Sequence, residues 1–112
     1  MAGKFLAEFE LYVMLAVAQL GDDAYGALVR QEIERRTGRP VSIGALYATL
    51  ARLEAKGLVS LETIAVEGQR GRARRYARLT ARGTAAMRHS ALMLSRMMRG
   101  LALEPGGAKP RR

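Results

Sequence analysis

The stretch Val41-Ser42-Ile43-Gly44-Ala45-Leu46-Tyr47-Ala48-Thr49-Leu50-Ala51-Arg52-Leu53-Glu54-Ala55-Lys56-Gly57-Leu58-Val59 decides the fold. Ser42 is a residue type suited to cap a helix start, because its hydroxyl oxygen can accept one of the unpaired first-turn N–H groups. On a helical wheel Leu46, Leu50 and Leu53 fall within about 60° of one another, so a helix from Ser42 to about Lys56 buries that stripe. The opposite side holds Gly44, Ala48, Ala51 and Ala55, with Tyr47 and Arg52 on its flanks. A solvated helix face carries charge at its centre; this one carries only small residues there. Such a face fits a helix that presses against another surface. Gly57 stops the helix.

Downstream, Leu58–Val66 is rich in β-branched and aliphatic residues and reads as a strand. Arg74–Thr80 reads as a second strand, with Tyr76 and a partly buried Leu79. Between them lies the basic, glycine-bearing segment Glu67-Gly68-Gln69-Arg70-Gly71-Arg72-Ala73, so the two strands form a hairpin. Thr80 can cap a last helix over about Ala81 to Leu103. Met87, Ala91, Leu94, Met98 and Leu101 step by alternating fours and threes along it, the spacing of a helix-pairing seam. Ala86, Met93 and Met97 add a second apolar stripe, more than one small domain can cover. Glu104–Arg112 holds Gly, Pro and basic residues and is expected to be a disordered tail.

Upstream, Phe5 to Leu20 is apolar over most of its circumference (Phe5, Phe9, Tyr12, Val13, Leu15, Ala16, Leu20) and predicts a helix buried on more than one side. Gly21 suits its C-cap, and Asp22 or Asp23 can cap a second helix from Ala24 to Thr37, with Leu28, Val29 and Ile33 inward. Gly38 and Pro40 end it. The expected fold is therefore mostly α with a small β-hairpin: a winged helix-turn-helix over residues 5–80, a long C-terminal dimerisation helix over 81–103, and a basic tail over 104–112.

The chain has 112 residues, one domain by length, with 19 Lys+Arg against 10 Asp+Glu, a net charge of +9. That excess is local. Residues 1–40 hold 5 basic and 6 acidic side chains, whereas 67–112 hold 12 and 2. A basic end on a small fold points to a polyanion, with double-stranded DNA as the expected partner. With no Cys and a single His, the chain lacks material for a disulfide framework, a thiolate metal site or His-based catalysis. The longest apolar run, Leu11–Ala18, falls short of the ~20 residues of a membrane span, and the start lacks the pattern of a signal peptide. We expect a cytoplasmic protein with no membrane partner, no catalytic residue, no cofactor and no metal.

Beyond topology, Phe9-Glu10-Leu11, Ala24-Tyr25-Gly26, the stretch from Val41 to Val59, and Arg70-Gly71-Arg72-Ala73-Arg74-Arg75-Tyr76 followed by Leu79-Thr80 and Gly83 closely resemble the PadR family of bacterial transcriptional regulators. The resemblance covers about residues 5–83 by motif and the last helix by position. It implies a homodimer that binds operator DNA, usually as a repressor, pairing through its C-terminal helix. It also implies a small aromatic or apolar effector that relieves repression. The chain departs from the family pattern at Ala77, where a second aromatic often stands, in the Arg-Gly-Arg wing, where Gly-Gly is common, and in having no Trp in the last helix.

In that frame each candidate residue has a role and a simpler alternative. Ser42 donates to a phosphate, or is a cap alone. Gly44 lets backbone approach DNA closely. Ala48 and Ala51 touch thymine methyls, or serve helix formation only. Tyr47 meets a phosphate from the flank, or packs on the wing. Tyr25 does the same from the start of the second helix, or belongs to the core. Arg70, Arg72, Arg74 and Arg75, with Arg78, reach phosphates or a minor groove, or form a solvated loop. Arg52 is the one residue of the third helix placed for a bidentate base contact, so specificity is expected to lean on dimer spacing, methyl contacts and DNA shape. Met87, Ala91, Leu94, Met98 and Leu101 form the dimer seam. The methionines line a cavity for an effector, or simply fill a dimer core. His89 is expected at the surface. Competing readings are a non-specific architectural or RNA-binding module, a protein-docking module and, last, an enzyme, for which Glu8/Glu10, Asp22/Asp23 and Glu32/Glu34 are the available carboxylate pairs.

Overall fold

The computed structural model describes residues 6–68 and 70–101. The chain runs α1 (Glu8–Leu20), a 3-10 turn (Gly21–Asp23), α2 (Gly26–Thr37), α3 (Ile43–Ala55), β1 (Val59–Ala65), β2 (Ala73–Leu79) and α4 (Ala81–Met98). The order is the expected one. The ends of the elements differ, each for a local reason.

α1 begins at Glu8, later than expected, because Glu10 in its first turn reaches back and accepts the Ala7 N–H at 3.0 Å. Phe5 lies outside the described residues. The helix is not buried all round: Val13, Met14, Ala16 and Val17 face inward, whereas Leu15 is exposed. Glu10 is buried instead of lying on an exposed end, a place no apolar periodicity could assign to it.

Neither Asp22 nor Asp23 caps α2. Both wind into the 3-10 turn, and Tyr25 takes the N-cap position in an extended conformation with no side-chain cap bond. Residues 24–25 are extended because they pair with the hairpin. The Ala77 N–H donates to the Ala24 carbonyl at 2.7 Å, and Tyr25 bridges Tyr76. α2 therefore starts two residues late. It buries Val29 and Ile33, while Leu28 is only half-buried. Gly38, at φ 73°, closes it in the left-handed conformation that favours glycine.

α3 matches its expected design. Ser42 Oγ accepts the Ala45 N–H at 3.0 Å, and Leu46, Leu50 and Leu53 are fully buried. Gly44, Ala48, Ala51 and Ala55 are exposed on the other side. β1 and β2 form an antiparallel hairpin in register from Val59↔Leu79 to Ala65↔Ala73, closed by the Val66 N–H on the Arg72 carbonyl.

The start of α4 is tied to the corner after α3. Thr80 Oγ accepts the Gly83 N–H at 2.9 Å and donates to the Gly57 carbonyl at 2.7 Å, while the Thr80 N–H reaches the Leu58 carbonyl. Gly83 is buried, and a Cβ there would overlap the Leu58 carbonyl oxygen. Beyond that anchor α4 packs Ala86 and Met87 against the core and runs beside α1. It ends at Met98, not Leu103, and Leu101 sits in the following turn, where Gly100 takes φ 90°. The expected seam thus loses its last helical member. Met87 packs on the core, Met98 is half-buried, and Ala91, Leu94 and Leu101 are exposed. The tail over 104–112 lies outside the described residues. Among those described, no helix is long and apolar enough to cross a membrane.

Candidate nucleic-acid interface

Three elements meet at one edge of the molecule: the start of α2, the exposed side of α3, and β2. Their side chains explain why. Gly26 opens α2, and a Cβ at that position would overlap the Tyr47 hydroxyl. Glycine therefore lets the Tyr47 ring of α3 dock on the first turn of α2. Tyr47 is half-buried against α2 as well as facing the wing, where the Arg75 guanidinium lies 6.0 Å from its ring centroid.

β2 alternates its side chains between two faces. Arg74 and Tyr76 share one face. The Arg74 guanidinium lies 4.2 Å from the centroid of the Tyr25 ring, and Tyr25 and Tyr76 contact each other with centroids 5.4 Å apart at a tilt of 59°. The separations suit a cation–π contact and a tilted aromatic pair. The Tyr76 hydroxyl beside Arg74 pushes the guanidinium's pKa up. Arg75 shares the opposite face with the buried Ala77. Thus two consecutive arginines each lie over a tyrosine of a different helix. Arg70 and Arg72 are exposed in the hairpin tip; Arg78 lies 3.8 Å from Asp22, an exposed pair of little energetic weight.

The remaining candidates sort by environment. Ser42 is an N-cap whose hydroxyl proton stays available, since the oxygen accepts and does not donate in the cap. Gly44 has open space around it, and Ala48 is exposed. Arg52 is the exception. Its Nη2 donates to the buried Thr49 hydroxyl at 3.0 Å, and its Nε lies 3.9 Å from Glu10. That guanidinium is held on the flank toward α1.

Glu10, which the sequence offers as half of a carboxylate pair with Glu8, has a structural role. Lys56 Nζ donates to its Oε2 at 2.9 Å, joining the start of α1 to the end of α3. Burial alone raises the Glu10 pKa, but the Lys56 bond, the Ala7 amide and the charges of Lys56 and Arg52 outweigh it, and the carboxyl sits below its ordinary value. Tyr76 is the other residue whose role the sequence did not assign. Strand alternation places it on the face of Arg74, but only the fold brings Tyr25 to it.

On the far side, Leu6, Leu11 and Tyr12 of the α1 region and Met93, Leu94 and Met97 of α4 border an open groove of about 360 Å³. His89 is exposed, as expected.

The chain resembles known proteins over the same span. Transcriptional regulator Rv3488 of Mycobacterium tuberculosis is 42% identical over 78 residues, which are 70% of this chain and 69% of that protein. A PadR-like transcription factor of Bacteroides fragilis superposes with a TM-score of 0.67 at 27% identity, covering 80% of this chain and 82% of that one. A PadR-family regulator of Eggerthella lenta gives 0.62 at 28% identity, covering 82% of each chain. These likenesses make the hairpin the wing of a winged helix-turn-helix. The model of the PadR-like transcriptional regulator family matches residues 14–89. That span runs from α1 through the wing into α4, and on this ground the chain belongs to the PadR-like family of transcriptional regulators.

Proposed function

We propose that this regulator binds a pseudo-palindromic operator as a homodimer and represses transcription, with α3 in the major groove and the wing arginines on the backbone or in an adjacent minor groove. The observation that carries the reading is that Arg75 lies by Tyr47, on the flank of the small-residue outer face of α3, while Arg74 lies over Tyr25 at the start of α2, where Tyr47 docks. A helix with Gly44 and Ala48 outward fits closely into a groove, and cations beside it match the flanking phosphates. Tyr25, Ser42, Tyr47, Arg70 and Arg72 complete the phosphate contacts. In this reading the elements from α1 to β2 form the DNA-binding unit and α4, Ala81–Met98, is the dimerisation helix.

Dimerisation follows from what α4 leaves uncovered. Leu94 is 53% and Met97 77% exposed, next to the groove bordered by Leu11 and Tyr12. A second copy covers that surface and sets two α3 helices about one DNA turn apart, roughly 34 Å. Met93 and Met97 make the wall of that groove adaptable, which suits a small aromatic or apolar effector there. Because Arg52 is held by Thr49 and Glu10, base reading rests on methyl contacts, spacing and shape. Saturation mutagenesis of an operator would show broad, moderate losses; loss of most affinity from one or two G·C changes would overturn that part.

The direct test is fluorescence anisotropy on the duplex upstream of the protein's own gene and on a scrambled duplex, over a salt series. A preference of about a thousandfold at physiological salt is expected. Equal and steeply salt-dependent binding to that duplex and to sites chosen by genome-wide selection would favour the architectural reading instead.

A further inference from the structure

We propose that Tyr76 is a positioning residue for DNA binding: by packing on Tyr25 it holds the Tyr25 ring against the Arg74 guanidinium, and so fixes that cation beside the start of α2. The inference rests on the DNA-binding reading above and adds to it a residue that does not itself need to touch DNA.

Four observations converge on it. Tyr76 pairs through its backbone with Tyr25, an isolated bridge that ties β2 to the start of α2. The neighbouring Ala77 N–H bonds to the Ala24 carbonyl at 2.7 Å. The two rings contact at 5.4 Å, and the Arg74 guanidinium lies 4.2 Å from the Tyr25 centroid on the same side of the hairpin. Finally, Tyr76 is half-buried while Arg74 is exposed, so the ring is fixed and the charge remains free to meet an anion.

The physical logic is one of preorganisation. An exposed arginine on a two-stranded hairpin samples many rotamers, and ordering it on binding costs entropy. A guanidinium held against an aromatic face is already ordered, and its N–H groups point outward in the plane of the fork. The Tyr25–Tyr76 bridge fixes the backbone from which the two rings leave. Arg75, 6.0 Å from the Tyr47 ring on the other strand face, has no such bridge and serves as the internal comparison.

The test is a double-mutant cycle of Tyr76→Ala and Arg74→Ala, with Tyr76→Phe as the conservative variant. Binding is measured to a mixed-sequence duplex of about 30 base pairs at low salt, because phosphate contacts are independent of sequence. Thermal melts confirm that each variant is folded. Arg74→Ala is expected to weaken binding about fivefold to tenfold and to lower the salt slope by about one ion. Tyr76→Ala reproduces most of that loss and that slope change, and adds little in the Arg74→Ala background. Tyr76→Phe, which keeps the ring packed on Tyr25 and loses only the hydroxyl beside Arg74, is expected to bind more tightly than Tyr76→Ala. The proposal is overturned if Arg74→Ala weakens binding while Tyr76→Ala does not, or if the two losses simply multiply. It also falls if Tyr76→Ala acts only by lowering the melting temperature. Absence of binding by the wild-type protein at low salt is a different result, and it overturns the DNA-binding reading itself.

Discussion

The body of this molecule and its last helix obey opposite rules. In the body, every helix finds a partner for its apolar stripe within the same chain. Val13, Met14, Val29, Leu46 and Leu53 have no exposed surface at all. In α4 only Gly83 is buried, and Leu92, Leu94 and Met97 stand in the open. The two regions are joined at an anchored corner, where Thr80 caps α4 and bonds to Gly57, and through Ala86 and Met87, which pack on the core. The body thus closes on itself, whereas α4 carries large apolar side chains that the described residues leave uncovered.

The contrast can be broken, or sharpened, by substitution. The largest effect is expected inside the closed region. Leu53→Ala removes a fully buried side chain and should cost about 2–5 kcal/mol in urea unfolding, through lost burial and a residual cavity. A loss below about 1 kcal/mol would show that the body is less closed than it looks. Next comes the joint. Gly83→Ala drives a methyl into the Leu58 carbonyl oxygen, a backbone atom that cannot swing aside, and should cost about 1–3 kcal/mol.

A smaller effect is expected at the Glu10 node. Glu10→Gln leaves the Lys56 ammonium without its anion and should cost about 1–2 kcal/mol at neutral pH. The Glu10 carboxyl sits below its ordinary value of 4.5, so the folded state holds its proton less tightly than the unfolded state. Its stabilisation is complete above 4.5 and is lost as pH falls below that through the folded-state value. The wild type and the variant should therefore converge in stability in acid. A difference that persists at low pH would assign the effect to packing. The smallest effect on folding, and the sharpest test of the contrast, is Leu94→Glu. In a single chain it should change the unfolding of the body by about 0.5 kcal/mol or less. In sedimentation velocity it should convert a dimer to a monomer. A wild-type chain that already sediments as a monomer would show that α4 stays bare in solution.

Much of this was legible beforehand, because periodicity is a local property. The Leu46/Leu50/Leu53 stripe, the Ser42 and Thr80 caps and the hairpin each follow from residues a few positions apart, and the structure realises all of them. The misreadings share one cause. α2 was expected to start at Ala24 behind an aspartate cap, but residues 24–25 are drawn into pairing with β2, about fifty residues away in sequence. Glu10 looked like an end charge until Lys56 was brought beside it. Leu101 fits a heptad count, but the chain turns at Gly100 and the helix has already ended. In every case a partner distant in sequence, or a backbone turn, overrode a sound local pattern.

By itself, the sequence determined the order of elements, the inward leucines and small outer face of α3, and a wing rich in arginine. These depend on residue type at fixed spacing, and spacing along the chain is spacing along a helix or strand. Only the tertiary structure decided which tyrosine each arginine meets, that Gly26 makes room for Tyr47, that Arg52 is held toward Glu10, and that α4 packs Met87 on the core while Leu94 and Met97 are left exposed. Those are distances between elements, and they are settled by packing and backbone closure across the whole chain.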